Sequence, residues 1–229
     1  GALYLYQEAL IHGNSKSLRI DAGLGMVNIH IAKGDLESAE KKCADLIQKA
    51  PDVLEYQIKS AQILFYQGEF DQTDTKLHEI VEKLPMENFA VNDILDVMAV
   101  LIGFRHNQEE FVEFAKVQLN IQQNKRTEAL EKLEALFDTN EIYIADMCRY
   151  QHAWLTLLQG DPESTKIQLS KIENETIFKE LAHIFQAEIL DFIDKDISNA
   201  IDSYLYFLEL YPQSIYYDDV RLRLRELAS

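Results

Sequence analysis

The chain predicts an all-α protein built of antiparallel helix pairs, about 12–13 helices in all. Three observations carry that expectation. Glycine and proline are scarce, at 8 and 4 residues, too few to punctuate many short strands. Apolar residues recur at spacings of three and four, the period of a helix face. Two stretches share their punctuation while the residues between them drift. "KGDLESAEKKCADLIQKAP", from Lys33, and "QGEFDQTDTKLHEIVEKLP", from Gln67, align Gly34 with Gly68, Asp35 with Glu69, Leu36 with Phe70 and Pro51 with Pro85.

The totals set the frame. At 229 residues, 47% hydrophobic and 27% charged, the composition is that of a folded globular chain. With 39 acidic against 22 basic residues the formal net charge is -17. Such a field repels phosphate backbones and anionic lipid, which argues against nucleic-acid binding over a broad face. No apolar run reaches the roughly 18 residues of a membrane-spanning helix, so membrane insertion is not expected. Cys43 and Cys148 form no CxxC spacing and are expected to pack as small hydrophobes.

In chain order, "ALYLYQEALIHG" (2–13) reads as the second half of a helical unit, a partial repeat that makes a longer parent protein the expectation. The unit 20–53 places Leu24, Met26, Val27 and His30 on its first helix and turns at Gly34. Its second helix turns Leu36, Ala39, Cys43, Leu46 and Ile47 inward before Pro51 forbids continuation. The unit 54–87 repeats this with Gly68, then Phe70, Thr73, Leu77, Ile80 and Val81, then Pro85. Glycine suits the left-handed conformation just past a helix end, and Asp35 or Glu69 suits the orphan N–H groups that follow. The small residue five after the glycine, Ala39 or Thr73, lets a neighbouring helix approach.

Residues 88–104, with "NDILDVMAVLIGF" at 92–104, predict an inserted apolar helix that throws the later units out of phase by about twenty residues. No Gly/Pro/Ser-rich linker flanks it, so one continuous domain over 1–229 is expected. Two sub-bundles hinged near Arg105 are the alternative. Degenerate units follow at 107–140 (Asn124 at the turn, Ala129 at the small position), 141–174 (Gly160, then Asp161 as N-cap and Pro162 at the first helical position) and 175–212 (Ala200, Tyr204, Phe207, closing Pro212). A solitary terminal helix over 214–228 is expected to cap the array.

A helix pair with glycine at its turn, a small residue five later and proline at its end, recurring from Gly34 to Gly68 after 34 positions, resembles the tetratricopeptide repeat. The resemblance implies a right-handed superhelical solenoid, with function on a concave face lined by the first helix of each pair. It implies a non-enzymatic scaffold that binds a partner protein, peptide or helix. Some members of that family clamp a terminal carboxylate with Lys, Arg and Asn on successive first helices. Here Asn28 alone fits, because Leu24 and Ile58 stand where basic residues belong, and the clamp is disfavoured.

The groove register instead offers apolar side chains, among them Leu24, Ile31, Ile58, Phe65, Phe114, Ile189 and Phe192. With Asn28, the partner-binding candidates are Tyr66, Phe111, Tyr150, Trp154 and Phe185. Either these pack between helices, or a subset, notably Tyr66, Tyr150 and Trp154, stays exposed as anchors. Tyr206 and Tyr216 form a second candidate surface. The alternative function is structural self-assembly, in which exposed repeat ends pair two copies into a homodimer. The drift of the later units resembles bacterial multi-repeat proteins that are often exported, which leans the expectation towards the cell envelope or periplasm.

No catalytic signature is present: neither GxSxG, a phosphate loop nor HExxH occurs. "AGLGMVN" (22–28) contains GxG inside a predicted helix with no strand before it, so no cofactor is expected. Cys148 and His152 stand four apart and could reach one metal ion, but a zinc site needs two more ligands, which His183 or Glu188 could supply only under an assumed fold, and a partly buried helix face is the expectation. "DFIDKD" (191–196) gathers three carboxylates without the glycine or closing Glu of a calcium loop and reads as a solvated helix end.

Overall fold

The computed structural model describes residues 1–85 and 87–227. Met86, within the expected unit 54–87, and Ala228, the last residue of the expected helix 214–228, lie outside the described residues, as does Ser229. Among the described residues every regular element is a helix: α1 (Ala2–His12), α2 (Lys16–Ala32), α3 (Leu36–Lys49), α4 (Leu54–Gln67), α5 (Phe70–Val81), α6 (Phe89–Phe104), α7 (Gln108–Gln122), α8 (Arg126–Glu134), α9 (Ile142–Leu158), α10 (Pro162–Leu169), α11 (Ile177–Glu188), α12 (Ile197–Leu210) and α13 (Tyr217–Leu227). A single π-helical turn, Ile189–Ile193, extends α11. The all-α class and the helix count are as the sequence predicts. The chain divides into two compact units, Gly1–Lys132 and Leu133–Ser229.

One device shapes the hairpins in both units. Five described residues have positive φ: Gly34 (77°), Gly68 (77°), Asn124 (57°), Gly160 (87°) and Lys195 (58°), at separations of 34, 56, 36 and 35 residues. Each turns the chain from one helix into the next. In three cases the following residue is an Asp whose side chain caps the new helix. Asp35 accepts from the Ser38 N–H (3.1 Å), Asp161 from Ser164 (3.0 Å) and Asp196 from Asn199 (3.3 Å). Five residues past each turn stands a small side chain of 0% exposure: Ala39, Thr73, Ala129, Thr165 and Ala200. Nine and twelve past it the buried residues are larger: Cys43 and Leu46, Leu77 and Ile80, Leu133 and Leu136, Leu169 and Ile172, Tyr204 and Phe207. Two of the small residues are threonines, which hide their hydroxyls by donating to the carbonyl four residues back, Thr73 to Glu69 and Thr165 to Asp161, each at 2.7 Å.

In the first unit α2 packs on α1, α3 and α4, α4 packs on α5 and α7, and α6 packs on α5 and α7. The glycines of "AGLGMVN" serve this packing. A Cβ on Gly23 would lie 2.7 Å from the Tyr56 hydroxyl and 3.1 Å from a Leu46 methyl, so the glycine is what lets α3 and α4 close on α2. Phe111, fully buried, centres the aromatic core, with Phe65 at 5.1 Å, Phe70 at 5.3 Å and Phe104 at 5.9 Å, all edge-on.

In the second unit α9 packs on α10 and α11, α11 on α12, and α12 on α13. One cluster gathers Ala153, Leu169, Ile172, Ala182, Phe185 and Ile189, and another Ala187, Ala200, Tyr204, Phe207 and Val220. The π turn adds one residue to the run before Lys195. As a result the buried small residue of α11 is Ala187, eight before the turn, where Ala153 of α9 stands seven before Gly160. The same turn aims Asp191 inward, at 1% exposure. Asp191 is therefore not part of a solvated helix end: it accepts from Arg223 of α13 and from the Tyr204 hydroxyl (3.2 Å). Asp194 and Asp196 of the same segment keep the expected role at a helix junction, Asp194 pairing with Lys166 and Asp196 capping α12.

Candidate functional site

Three of the six partner-binding candidates meet on one face of the second unit. Tyr150 and Trp154 lie one helical turn apart on α9, and Phe185 reaches them from α11. The Phe185 ring centroid is 5.8 Å from Tyr150 and 6.1 Å from Trp154, both tilted. Phe178 extends the series, 5.9 Å from Tyr150 and 5.2 Å from Tyr143. The five rings form a ladder along the α9–α11 seam. Its exposure is graded: Phe185 is buried at 7%, Tyr150 half-buried, and Trp154 open at 50%. Burial, then the nearby Glu188 carboxylate, pushes the Tyr150 phenol upward from its ordinary range.

Glu188 lies within charge reach of the ladder, its carboxylate acting on the Tyr150 phenol. Trp154 and Glu188 are both exposed, each following a fully buried alanine: Ala153 packs with Leu169 and Phe185, Ala187 with Tyr204 and Phe207. Glu188 also stands three residues past Phe185, hence on its face of α11.

The other three candidates lie in the first unit. Asn28 is exposed on α2. Tyr66 and Phe111 follow the packing alternative and not the exposed one. Tyr66 is 6% exposed, its ring edge-on to Phe65 at 6.2 Å and its hydroxyl accepting from Gln62 at 2.7 Å. Phe111 has no exposed surface. The physical reason is neighbour number: α4 and α7 pack on each other and on further helices, so an apolar side chain on either meets a partner in several directions.

Around α11 and α12 a cavity of about 460 Å³ is lined by His183, Gln186, Leu190, Asn199, Asp202, Ser203 and Tyr206. His183 faces Tyr206 edge-on at 5.7 Å, and its Nδ1 lies 3.0 Å from the Tyr211 hydroxyl. Tyr206 is 54% exposed and Tyr216 half-buried, so of that pair Tyr206 is the open one.

Cys148 and His152 are both buried. The imidazole is held by protein groups, Nε2 at 3.2 Å from the Glu134 carboxylate and Nδ1 at 3.3 Å from the Thr156 hydroxyl. Among the described residues no group of three His, Cys, Asp or Glu side chains is placed to hold a metal ion. No helix among them is long and apolar enough to cross a membrane.

Asp191 and Glu188 figure in the sequence only as a helix-end carboxylate and a conditional metal ligand, and Asp146 is marked by no motif. Asp146 is fully buried on α9, where it accepts from Asn174 Nδ2 (3.0 Å) and Thr176 Oγ1 (2.9 Å) and ties the entry of α11 to α9. The one available signal was a carboxylate inside an otherwise apolar helix.

No family model matches the chain, and no curated protein matches it either.

Proposed function

We propose that the chain is a tetratricopeptide-like scaffold, non-enzymatic, whose helix pairs follow the right-handed solenoid plan and whose open aromatic face binds a peptide or helix of another protein. The recurrence of left-handed turns, Asp caps and fully buried small residues supports the repeat reading. One observation carries the functional reading. Trp154, the single tryptophan of the chain, is 50% exposed at the end of a ring ladder whose other members are packed. A large amphipathic ring on a rigid, preformed base is what a hot spot requires, since little conformational freedom remains to be lost on binding.

The test is capture from a lysate of the source organism with the wild-type protein and with Trp154→Ala, whose fold is verified by circular dichroism. A partner held only by the wild type is then purified and titrated while Trp154 emission is followed. A blue shift on binding places the partner on this face. A partner that binds both proteins alike removes Trp154 from the site.

Self-assembly is favoured by a different observation, on α6. Leu95 and Ile102, two turns apart on one face, are 43% and 60% exposed, and Phe89 at the helix start is 94% exposed. On this reading Ile102→Lys lowers a concentration-dependent mass in sedimentation equilibrium. A mass that is monomeric at all concentrations rules it out.

A further inference from the structure

We infer that the Trp154 face takes a cationic side chain, an Arg or Lys of a basic partner segment, stacked on the indole with its charge against Glu188; this rests on the proposed aromatic binding face. Four observations converge. The indole presents an exposed π-face, and tryptophan is the strongest aromatic partner for a cation. Glu188 is exposed three residues past the Phe185 that touches the indole, and its charge acts on Tyr150, the next ring of the ladder. Among the described residues no basic side chain compensates it. The charge that acts on it is another carboxylate, Asp191, and Asp191 is itself committed to Arg223. Finally, the chain as a whole carries a net charge of -17, which draws basic segments and repels acidic ones.

The state of Glu188 agrees with this. Although the residue is exposed, partial desolvation of its carboxyl, and then the charge of Asp191, push its pKa above the ordinary carboxylate value. A carboxylate held in that condition gains more from an incoming cation than a fully hydrated one does. A guanidinium is the better fit of the two cations, because it is planar, weakly hydrated and able to stack while it hydrogen-bonds a carboxylate. The neighbouring rings of Tyr150 and Phe185 are too buried to enclose the cation, so the site is a one-sided platform and not a closed cage.

The experiment uses three uncharged-ended octapeptides: one alternating Arg with Ala, one alternating Leu with Ser, one alternating Glu with Ala. Each is titrated into the protein at about 0.15 M salt while the emission of Trp154 is followed. The expected result is a saturable change with the Arg peptide, none with the Glu peptide, and an affinity for Arg at least tenfold weaker in Glu188→Gln. Glu209→Gln removes the same charge from an exposed position on α12 and should leave the affinity within twofold of wild type. Equal loss in both variants would reduce the effect to diffuse attraction and overturn the inference. Equal response to the Leu and Arg peptides, with Glu188→Gln silent, overturns the cation preference and leaves the aromatic face standing. No response to any peptide overturns it as well, and the capture with Trp154→Ala then judges the binding face by itself.

Discussion

Arg223 holds both carboxylate oxygens of Asp191, Nε to Oδ2 at 2.7 Å and Nη2 to Oδ1 at 2.9 Å, and its guanidinium lies 4.6 Å from the centre of the Phe192 ring. The Asp191 side chain is 1% exposed and the Arg223 side chain 32%. Through this grip the last helix, α13, is fastened to the π turn after α11, with Tyr204 of α12 donating to the same carboxylate. Arg223→Ala would strand a buried charge. A loss of about 3 kcal/mol is expected, the lower end for a broken buried pair because Arg223 is partly hydrated. Tyr204→Phe should lose about 1.5 kcal/mol, the lower end for a hydrogen bond to a charged acceptor because the bond is long at 3.2 Å. The bond from Arg223 also holds the Asp191 carboxyl below the usual range. A carboxylate depressed in the folded state contributes stability that is complete above about pH 4 and is lost as the pH falls further. Urea midpoints at several acid pH values, wild type against Asp191→Asn, check the sign: the variant should lose less than the wild type below about pH 4.

Lys195 turns the chain with φ 58° where Gly34 and Gly68 do so at 77°. A side chain in that region is disfavoured by about 1–2 kcal/mol, whereas glycine adds about 0.4–1 kcal/mol of unfolded-state freedom. Lys195→Gly is therefore expected to stabilise by roughly 0.5–1 kcal/mol, the 6.0 Å contact of its ammonium with Phe192 being too long to offset this. Gly68→Ala runs the other way. The new methyl would sit 3.1 Å from Val112 Cγ2 as well as in the strained conformation, so a loss of about 2 kcal/mol is expected in thermal or urea melts. A stabilised Gly68→Ala would show that the left-handed turn does not constrain the fold.

The punctuation of the hairpins could be read from the sequence because it is local. Gly34, Gly68 and Gly160 mark turns, Asp161 with Pro162 marks a helix start, and Ala39, Thr73, Ala129 and Ala200 stand at a fixed distance beyond. What each helix faces could not be read. A helix flanked on several sides is apolar over most of its circumference, as α9 is, with Ile144, Ala145, Met147, Cys148, Ala153 and Leu155 all buried. Periodicity then does not separate Phe111, which is sealed in, from Trp154, which is open. The Asp191–Arg223 pair spans 32 residues and depends on the extra residue of the π turn, and neither leaves a short-range pattern. The role of Glu188 was hidden because the ring its charge acts on, Tyr150, lies on another helix, far away in the chain.

Two histidines of the second unit give it a neutral-to-acid weakness. Burial lowers the pKa of His152 against the opposing pull of Glu134, and burial, then Lys179, lowers that of His183. The folded state thus prefers both neutral, while the unfolded chain takes up protons near the ordinary value of about 6.5. Stability from this source is complete above that value and falls as the pH drops through it, since the unfolded state then binds more protons. Urea midpoints at about pH 7.5 and 5.5 should differ in that direction, and His152→Gln together with His183→Gln should flatten the slope. An unchanged slope in the double variant would assign the pH dependence to other groups.

Each compact unit carries one cysteine, Cys43 at 1% exposure in the first and Cys148 at 0% in the second. Burial pushes the Cys43 thiol up to about 11, and its Sγ donates to the Tyr56 carbonyl at 3.3 Å, so the reactive thiolate is scarce as well as hidden. Neither thiol should react with an aromatic disulfide reagent at neutral pH unless its surroundings open. The two rates, separated by peptide mass spectrometry, are therefore independent clocks for the opening of the two units. Rates that rise in parallel across a urea series mean that the chain opens as a whole. Arg223→Ala should sharpen the comparison, because it loosens α13 in the second unit: Cys148 labelling is expected to accelerate about tenfold or more while Cys43 labelling stays near its wild-type rate if the units open separately. Equal acceleration of both thiols would show instead that the grip on Asp191 stabilises the chain as one cooperative body.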